Sequence, residues 1–469
     1  MADATTPLSI LNTVFGFPAF QGRQEEIIAQ VVGGGDAVVY MPTGGGKSLC
    51  YQIPALVRPG VGLVVSPLIA LMQDQVSGLK QLGVRAETLN SSLPLPEISR
   101  IEGLLLRGQL DLLYVSPERL AQPGFLATLD RLRIALFAID EAHCVSQWGH
   151  DFRPEYLDLA GLPDRFPGVP RLALTATADG PTRRDILTRL RFTEARVFAA
   201  GFDRPNIRYL VEPKEDPHAR LAVFLAERPG ACGIVYRMTR ARCEETAAFL
   251  QSRGLPALAY HAGLEGAERS RRQERFMAEE GMVMVATIAF GMGVDKPDVR
   301  FVVHLDPPKS LEAYHQETGR AGRDGLPADA LLLHSLADFA AMRALLDKGN
   351  APDNIKALEQ QKLSALAGFC ETTRCRRQVL LGYFGETLAE PCGNCDACLY
   401  PAETWDATTE AQKALSCVFR TGQIFGVGQQ VAVLRGQENE AVRRHGHRDL
   451  STFGIGADLS TRQWRSIFR

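Results

Sequence analysis

The chain has 469 residues, of which 45% are hydrophobic and 23% are charged, and its formal net charge is −2. This composition is typical of folded globular proteins and excludes a disordered chain, while the near-neutral charge confines any nucleic-acid surface to a local patch. No apolar stretch approaches the roughly 18 residues of a membrane span and the sequence has no signal-peptide pattern at its start. We therefore expect a cytoplasmic protein with no membrane partner.

Residue patterns divide the chain into four segments: 1–204, 205–340, 341–402 and 403–469. The first two alternate short apolar runs with helical patterns, which predicts an α/β fold with two doubly wound parallel-sheet lobes. Two prolines, Pro205 and Pro213, flank a predicted connector. The third segment is helical, and the fourth mixes helix and strand signals and stops without a capping residue, so we expect a truncated domain there. The predicted strands are 37–41, 61–65, 111–115, 135–139, 172–174, 233–236, 258–260, 282–286, 301–303 and 331–333.

The first strand runs into a glycine loop that predicts a phosphate site. Glycines let backbone N–H groups approach a phosphate without Cβ clashes, and the start of the following helix adds partial positive charge. Lys47 would reach the β- and γ-phosphates, and Ser48 would ligate Mg²⁺. The strict pattern has glycine where this chain has Met41, and a plain glycine turn before a helix is the alternative. The predicted nucleotide-binding residues are Thr43, Gly44, Gly45, Gly46, Lys47 and Ser48.

An acidic pair, Asp140 and Glu141, follows the apolar strand 135–139. A carboxylate at this edge of a sheet can hold Mg²⁺ opposite Ser48, and a second one can orient and deprotonate an attacking water. We assign Asp140 to the metal and Glu141 to the general base, with His143 as a relay to neighbouring loops. The alternative is an acidic pair in a solvated turn.

Four cysteines, Cys375, Cys392, Cys395 and Cys398, have the spacing of a metal site. Four thiolates fit tetrahedral Zn²⁺ in a structural role, because four protein ligands leave no open position. An iron–sulfur cluster is the alternative, since C-x₂-C-x₂-C is also typical of ferredoxins. The next cysteine of that pattern would fall where this chain has Ala402.

Several motifs together resemble those of superfamily 2 helicases. They are the glycine loop, the Asp140–His143 box, the Thr175–Thr177 tripeptide and the segment from Gln316 to Gly325. The segment 146–154 and the cysteine module resemble the RecQ branch in particular, and the resemblance runs from about Leu11 to the last residue. It implies two RecA-like lobes, a helical zinc-binding subdomain and a partial winged helix.

The resemblance gives roles to residues of the second lobe. Arg320 and Arg323 are three apart, so on a helix they would share one face. Facing Lys47 across a cleft, they would place guanidinium charge on the γ-phosphate, with Arg323 as the arginine finger. Asp295 lies in a motif that couples nucleotide and DNA, and it would contact the ribose. The alternatives are two arginines on a solvated helix and simple turn packing around Asp295.

The resemblance implies that the segment 15–24 recognises the adenine base. A glutamine amide can pair with adenine N6 and N7, and Gln24 matches the family residue. The family has arginine directly after the aromatic at position 20, whereas this chain has Gln21 there. Arg23 is the nearby substitute for that base-stacking arginine.

The resemblance also implies contacts with a DNA strand. Trp148, Phe152 and Arg153 belong to the loop that couples DNA binding to hydrolysis in the family, and aromatic faces stack bases with little sequence preference. A hydrophobic anchor between the lobes is the alternative. Ser66 and Ser116 end strands and match motifs that contact a strand's phosphates.

The last segment, from Trp405, resembles the start of the family's winged-helix domain. Residues 411–420 would form its first helix, and Arg443 and Arg444 would approach duplex phosphates.

The resemblance identifies the chain as a member of the RecQ family, and it implies a 3′-to-5′ DNA helicase that uses ATP, Mg²⁺ and Zn²⁺ in repair, recombination and replication. Its expected partners are single-stranded and branched or duplex DNA and, by family resemblance, a single-stranded-DNA-binding protein. A bacterial nucleoid association follows from the same resemblance. The alternatives are an RNA helicase or translocase without strand separation, and a DNA-junction scaffold with a vestigial ATP site.

Overall fold

The computed structural model describes residues 6–42, 44–91, 93–146, 152–176, 178–199, 201–290 and 296–468. The chain divides into two compact units, Met1–Pro401 and Ala402–Arg469. None of the helices in these described ranges has both the length and the apolar character that a bilayer crossing requires.

Seven parallel strands of the described residues form the sheet of the first lobe, in the order β3-β4-β2-β5-β6-β1-β7. Side chains alternate between its two faces, so that Val38 and Phe137 belong to one apolar cluster and Val39 and Leu136 to another. Burial on both faces explains why the central strands are near-continuous apolar runs. The strands are β1 (Ala37–Tyr40), β2 (Val61–Val65), β3 (Ala86–Leu89), β4 (Leu112–Val115), β5 (Ile134–Ile139), β6 (Arg171–Thr175) and β7 (Arg196–Ala199).

Helices flank this sheet and connect its strands. They are α1 (Pro7–Thr13), α2 (Gln24–Val32), α3 (Leu49–Val57), α4 (Ile69–Gln81), α5 (Leu95–Leu106), α6 (Pro117–Leu120), α7 (Pro123–Leu129), α8 (Leu162–Arg165) and α9 (Gly180–Arg189). Two 3₁₀ segments, Ala142–Val145 and Pro154–Gly161, follow β5.

Six parallel strands of the described residues form the sheet of the second lobe, in the order β10-β11-β9-β12-β13-β8. They are β8 (Ile207–Pro213), β9 (Cys232–Tyr236), β10 (Ala257–Tyr260), β11 (Val283–Ala286), β12 (Val299–His304) and β13 (Ala328–His334). Its helices are α10 (Pro217–Ala226), α11 (Arg240–Ser252), α12 (Gly266–Ala278) and α13 (Leu311–Thr318).

A helical subdomain packs on the open edge of this second sheet. It contains α14 (Leu336–Lys348), α15 (Asp353–Glu371), α16 (Arg376–Tyr383) and α17 (Asp396–Leu399). Arg377 donates to the Ile207 carbonyl at 2.6 Å, and the backbone of Cys395 forms an isolated parallel β-bridge with Tyr209 of β8. Buried Arg376 pairs with Asp396 at 2.9 Å, which ties α16 to α17.

The described residues of the second unit form the α-helices α18 (Thr408–Arg420), α19 (Val427–Leu434), α20 (Glu440–Arg444) and α21 (Thr461–Ile467), joined by turns. Trp464 is fully buried in its core and donates to the Gly456 carbonyl at 2.6 Å. The strand signals in this tail therefore correspond to no strand among its described residues.

The predicted fold class is confirmed, and each of the ten predicted strands begins and ends within three residues of its expected bounds. The connector between Pro205 and Pro213 was wrong, because this segment is the edge strand β8. Its buried residues Ile207, Tyr209 and Val211 alternate with more exposed neighbours. That period of two is typical of a half-buried strand.

Candidate active site

The glycine loop after β1 has a backbone that other residues would strain. Gly44 and Gly46 have φ values of +82° and +72°, where L side chains are disfavoured. A Cβ on Gly46 would lie 2.3 Å from Nε2 of Gln24, and one on Gly45 would lie 2.7 Å from Cγ of Met41. Met41 therefore packs against the loop, and the departure from the strict glycine pattern is accommodated. Thr43 lies outside the described residues.

Lys47 lies over this loop and donates to its backbone. Its Nζ is 3.0 Å from the Met41 carbonyl and 3.1 Å from the Pro42 carbonyl. Burial lowers the pKa of Lys47, and the nearby carboxylates of Glu141 and Asp140 oppose that shift. An ammonium held this way fits phosphate oxygens, which would replace the carbonyls as its acceptors. Ser48 directly precedes α3.

Asp140 and Glu141 are placed by the end of β5, and both are nearly buried. Burial and the adjacent Glu141 charge raise the pKa of Asp140 to about 7. A buried carboxyl with this shift fits a divalent cation, which would compensate its charge. Asp140 is thus a carboxylate that would suit Mg²⁺, and Ser48 as its second ligand stays a prediction.

Glu141 has the left-handed backbone conformation, with φ +48°. His143 Nδ1 lies 3.2 Å from Glu141 Oε2 and 2.9 Å from the Thr175 hydroxyl at the end of β6. Burial alone would raise the pKa of Glu141, but the hydrogen bond and charge of His143 outweigh it and lower the pKa. The carboxylate is therefore ionised, as a general base must be.

Arg320 and Arg323 of the second lobe reach the same cleft. A Cβ on Gly44 would lie only 3.3 Å from Cγ of Arg323. Arg320 is 4% exposed, and its charge contributes to lowering the pKa of Glu141. Groups from both lobes thus surround the glycine loop.

The expected helix across Arg320 and Arg323 was wrong. Helix α13 ends at Thr318 with Gly319 as its C-cap, and both arginines lie in the turn that follows. Gly322, with φ +56°, continues the chain in a conformation that a helix does not have. The two side chains meet the cleft through this turn instead of a shared helix face.

The predicted adenine residues lie beside the loop. Gln24 is 3% exposed, and its Nε2 donates to the Gly45 and Gly46 carbonyls at 3.4 and 3.3 Å. To bind adenine, Gln24 would have to give up these two hydrogen bonds and form new ones with the base. Arg23 pairs with Glu26 at 2.9 Å and lies 5.0 Å from the Phe198 ring centroid. Asp295 lies outside the described residues.

The predicted DNA contacts are spread along the carboxyl edge of the first sheet. Ser66 and Ser116 end the adjacent strands β2 and β4, and both are at least 96% buried. Arg153 lies 3.8 Å from Glu118, just after Ser116, and Phe152 beside it is half-buried. Trp148 lies outside the described residues, so the loop's role stays a prediction.

The four cysteines converge as a metal site requires. The Sγ atoms of Cys375, Cys392, Cys395 and Cys398 all lie within 4.8 Å of one another. Zinc at about 2.3 Å from each sulfur needs edges of about 3.8 Å, so a small contraction suffices. Backbone N–H groups of Cys392 and Asn394 donate to the sulfurs of Cys375 and Cys392 at 3.3 Å. This donor set fits Zn²⁺.

In the second unit, Arg443 and Arg444 are exposed, as a phosphate contact requires. Each is near an acid, Glu438 at 3.3 Å and Glu440 one turn away. The net positive charge of this surface is therefore smaller than the two arginines alone would give.

Sequence reasoning missed Arg204 in the chain between the lobes. It donates to three carbonyls around Arg320 and Arg323 and approaches Gly44. Because these contacts join residues more than 100 positions apart, no local pattern indicates them.

Comparison with known proteins matches four family descriptions along the chain. They are DEAD/DEAH box helicase at residues 21–186, helicase conserved C-terminal domain at 217–325, RecQ zinc-binding at 336–399 and RQC domain at 401–469. An ATP-dependent DNA helicase RecQ of Haemophilus influenzae is 49% identical over 468 residues, which cover all of this chain and 75% of that protein. The chain belongs to the RecQ family.

Other RecQ relatives agree with this membership. The Bacillus subtilis protein named ATP-dependent DNA helicase RecQ is 40% identical over 95% of this chain and 76% of its own length. The RecQ zinc-binding match includes all four clustered cysteines. The winged-helix expectation for residues 403–469 corresponds to the RQC match.

Solved structures share the fold of this RecQ chain. Dbp5 of S. cerevisiae, bound to RNA and ADP BeF3, has a TM-score of 0.58 at 16% identity and covers 77% of this chain and 98% of its own. At this identity the likeness shows the fold alone. Two parallel-sheet lobes of the RecA kind are thereby confirmed.

Proposed function

We propose that this RecQ-family chain is an ATP-dependent DNA helicase that moves 3′-to-5′ along a single strand and separates duplexes in DNA repair, recombination and replication. One observation carries the proposal. Lys47 and the Asp140–Glu141 pair of one lobe and two arginines of the other converge on one glycine loop. A binding scaffold has no need of groups from both lobes at one phosphate site.

The roles of these residues follow from their chemistry. Lys47 binds the β- and γ-phosphates, and Ser48 and Asp140 would hold Mg²⁺, which would supply positive charge to the same phosphates. Glu141 accepts a proton from the attacking water, and His143 fixes the orientation of its carboxylate through their 3.2 Å contact. Arg320 and Arg323 stabilise charge that develops on the γ-phosphate.

Coupling to movement follows from the two-lobe arrangement. Because arginines of the second lobe contact the γ-phosphate, the triphosphate favours a closed cleft and its hydrolysis removes that preference. Lobes that hold one strand alternately then advance along it. Ser66, Ser116, Trp148, Phe152 and Arg153 are the proposed strand contacts, with the loop of Trp148 reporting DNA binding to Glu141.

DNA is the proposed substrate because the RecQ zinc-binding and RQC matches accompany the helicase domains. Dbp5 shares the fold and was solved with RNA, so the lobes alone do not select between the two nucleic acids. Arg443 and Arg444 are proposed to contact the duplex. A cytoplasmic, nucleoid-associated location and a single-stranded-DNA-binding protein as partner are proposed on family membership alone.

The test is strand separation on a 3′-tailed DNA duplex, with ATP and with a non-hydrolysable analogue. We expect separation with ATP only, hydrolysis stimulated by single-stranded DNA more than by RNA, and no separation on a 5′-tailed duplex. Lys47→Ala should abolish both activities. Stronger stimulation by RNA would favour an RNA helicase, and DNA-dependent hydrolysis unchanged by Lys47→Ala would refute the assignment of the site.

A further inference from the structure

The turn that carries Arg320 and Arg323, residues 319–326, is held by side chains from another part of the chain. Arg204 Nη1 donates to the Gly319 carbonyl at 2.9 Å, and Nη2 donates to Ala321 and Gly322 at 2.8 and 2.9 Å. The Gly319 and Ala321 carbonyls follow the end of α13, where no further helical turn supplies donors. The Arg204 guanidinium takes the place of backbone donors at these two carbonyls, on both sides of Arg320. It adds a bond to the Gly322 carbonyl, which also accepts from the Gly325 N–H at 3.0 Å.

Asn206 completes this support two residues later. Its Nδ2 donates to Gly322 at 2.8 Å and to Leu326 at 2.9 Å. A Cβ on Gly322 would lie 2.4 Å from that same nitrogen, so the amide lies directly against the turn. Residues 201–206, which we term the linker, thus bind the arginine-bearing turn through two side chains.

The linker is itself fixed from three sides. The Phe202 N–H donates to both carboxylate oxygens of Glu386 in the zinc-binding subdomain at 2.9 and 3.0 Å, and its ring stacks on Phe384 at 4.9 Å. From the first lobe, the Arg183 guanidinium lies 5.2 Å from that ring. From the second lobe, His315 Nε2 donates to the Phe202 carbonyl at 3.0 Å.

The Arg204 guanidinium also lies beside the phosphate loop. A Cβ on Gly44 would be 3.4 Å from Arg204 Nη1 and 3.3 Å from Cγ of Arg323. Arg204 thus lies between the loop that binds phosphate and the turn that supplies the arginines. A shift of about 1 Å at a reacting centre can cost about 10²-fold in rate.

We propose that Arg204 is a positioning residue for ATP hydrolysis, which sets the distance of Arg320 and Arg323 from the γ-phosphate by holding the carbonyls of their turn. This inference rests on the proposed function. It extends that function by making the linker, and through Glu386 the zinc-binding subdomain, part of the machinery that aligns the second lobe's arginines.

Arg58 provides a matched control within the first lobe. Its guanidinium also donates to three carbonyls, those of Ala135, Val31 and Val32, and burial lowers its pKa as it does for Arg204. Ala135 lies at the start of β5, at the opposite end of that strand from Asp140. A lysine cannot reproduce a three-bond fork at either residue.

The first experiment compares Arg204→Lys and Arg58→Lys with the unmodified full chain. We expect Arg204→Lys to lower kcat for DNA-stimulated ATP hydrolysis about 10²-fold with KM for ATP within about threefold. Arg58→Lys should leave both nearly unchanged. Equal kcat in the Arg204→Lys chain and the unmodified chain would overturn the inference, whereas an unmodified chain that hydrolyses no ATP would instead overturn the proposed function.

The second experiment asks whether Arg204 acts through the arginines. In a chain carrying Arg320→Ala and Arg323→Ala, single-turnover hydrolysis should not slow further when Arg204→Lys is added. A further loss as large as in the unmodified background would show a general structural role and overturn the inference. If Arg204→Lys does not fold, Asn206→Ala takes its place, with lower kcat at unchanged KM as the expected result and unchanged kcat as the contrary one.

Discussion

At the scale of single residues, Glu141 has a backbone conformation that glutamates rarely adopt. Its φ of +48° is uncommon for a residue with a side chain and stores strain at the end of β5. The 3₁₀ segment that begins at Ala142 and the contact with His143 hold this conformation. Strain at this place is consistent with a carboxylate aimed by its surroundings.

The role of Glu141 gives a direct prediction. Glu141→Gln keeps the shape of the side chain but removes the base, so ATP hydrolysis should fall by about 10² to 10⁴. Binding of a fluorescent ATP analogue should persist. The matched control is Glu194→Gln, an exposed residue before β7, which should change neither. Loss of nucleotide binding together with hydrolysis would show that Glu141 is structural.

At the scale of elements, the sequence predicted every interior strand but only β10 among the four edge strands. Central strands such as β5 are buried on both faces, so an unbroken apolar run identifies them. The edge strand β7 has one buried residue, Phe198, and β3 has polar residues between Ala86 and Leu89. Exposure on one side dilutes the apolar signal at an edge.

The candidate site follows the same division. The glycine loop, the acidic pair and the cysteines could be found because their ligands lie close together in sequence. Family resemblance indicated Arg320 and Arg323, but the helix expected to carry them was wrong, since Gly319 ends α13 before them. Arg204 was missed, because its partners are more than 100 residues away.

Helix α13 carries a prediction about pH. His315 is buried, and burial together with the charges of Arg204 and Lys47 lowers its pKa to about 4. In the unfolded chain the pKa is about 6.5, so protons bind the unfolded state first as pH falls. Stability is therefore fully present above about pH 6.5 and is lost toward pH 4, by about 2 kcal/mol at pH 5 relative to pH 8.

The measurement is the free energy of unfolding in urea at pH 8 and pH 5, for the unmodified chain and for His315→Gln. The glutamine amide can still donate to the Phe202 carbonyl but does not titrate in this range. We expect the unmodified chain to lose about 2 kcal/mol more than the variant between these pH values. Equal losses would mean that His315 is not buried in its neutral form.

The zinc-binding subdomain gives a second prediction at this scale. Cys395 is fully buried and forms a backbone β-bridge with Tyr209 of β8. Loss of the metal should therefore destabilise the edge of the second sheet as well as the cysteine module. A strong chelator should lower the thermal unfolding midpoint of the unmodified chain. The same chelator should leave the midpoint of a Cys395→Ala chain unchanged, and an equal shift in both would contradict a cysteine-bound zinc.

At the scale of the whole first unit, two sheets of similar build are joined so that one cleft receives groups from each. Neither lobe alone holds all the groups proposed for nucleotide hydrolysis, because the phosphate loop and the acidic pair lie on one lobe and the arginines on the other. Gln273 of α12 and Asp74 of α4 also meet at 3.2 Å, which brings the lobes into contact at a second place. Nucleotide hydrolysis and lobe closure are therefore expected to be one coupled event.

A crystal structure of this chain with Mg²⁺ and a non-hydrolysable ATP analogue would test that coupling most directly. The γ-phosphate should lie within hydrogen-bond distance of both Lys47 Nζ and a guanidinium nitrogen of Arg320 or Arg323. An analogue that is contacted by the first lobe alone, with both arginines turned away from its phosphates, would contradict a triphosphate shared between the lobes.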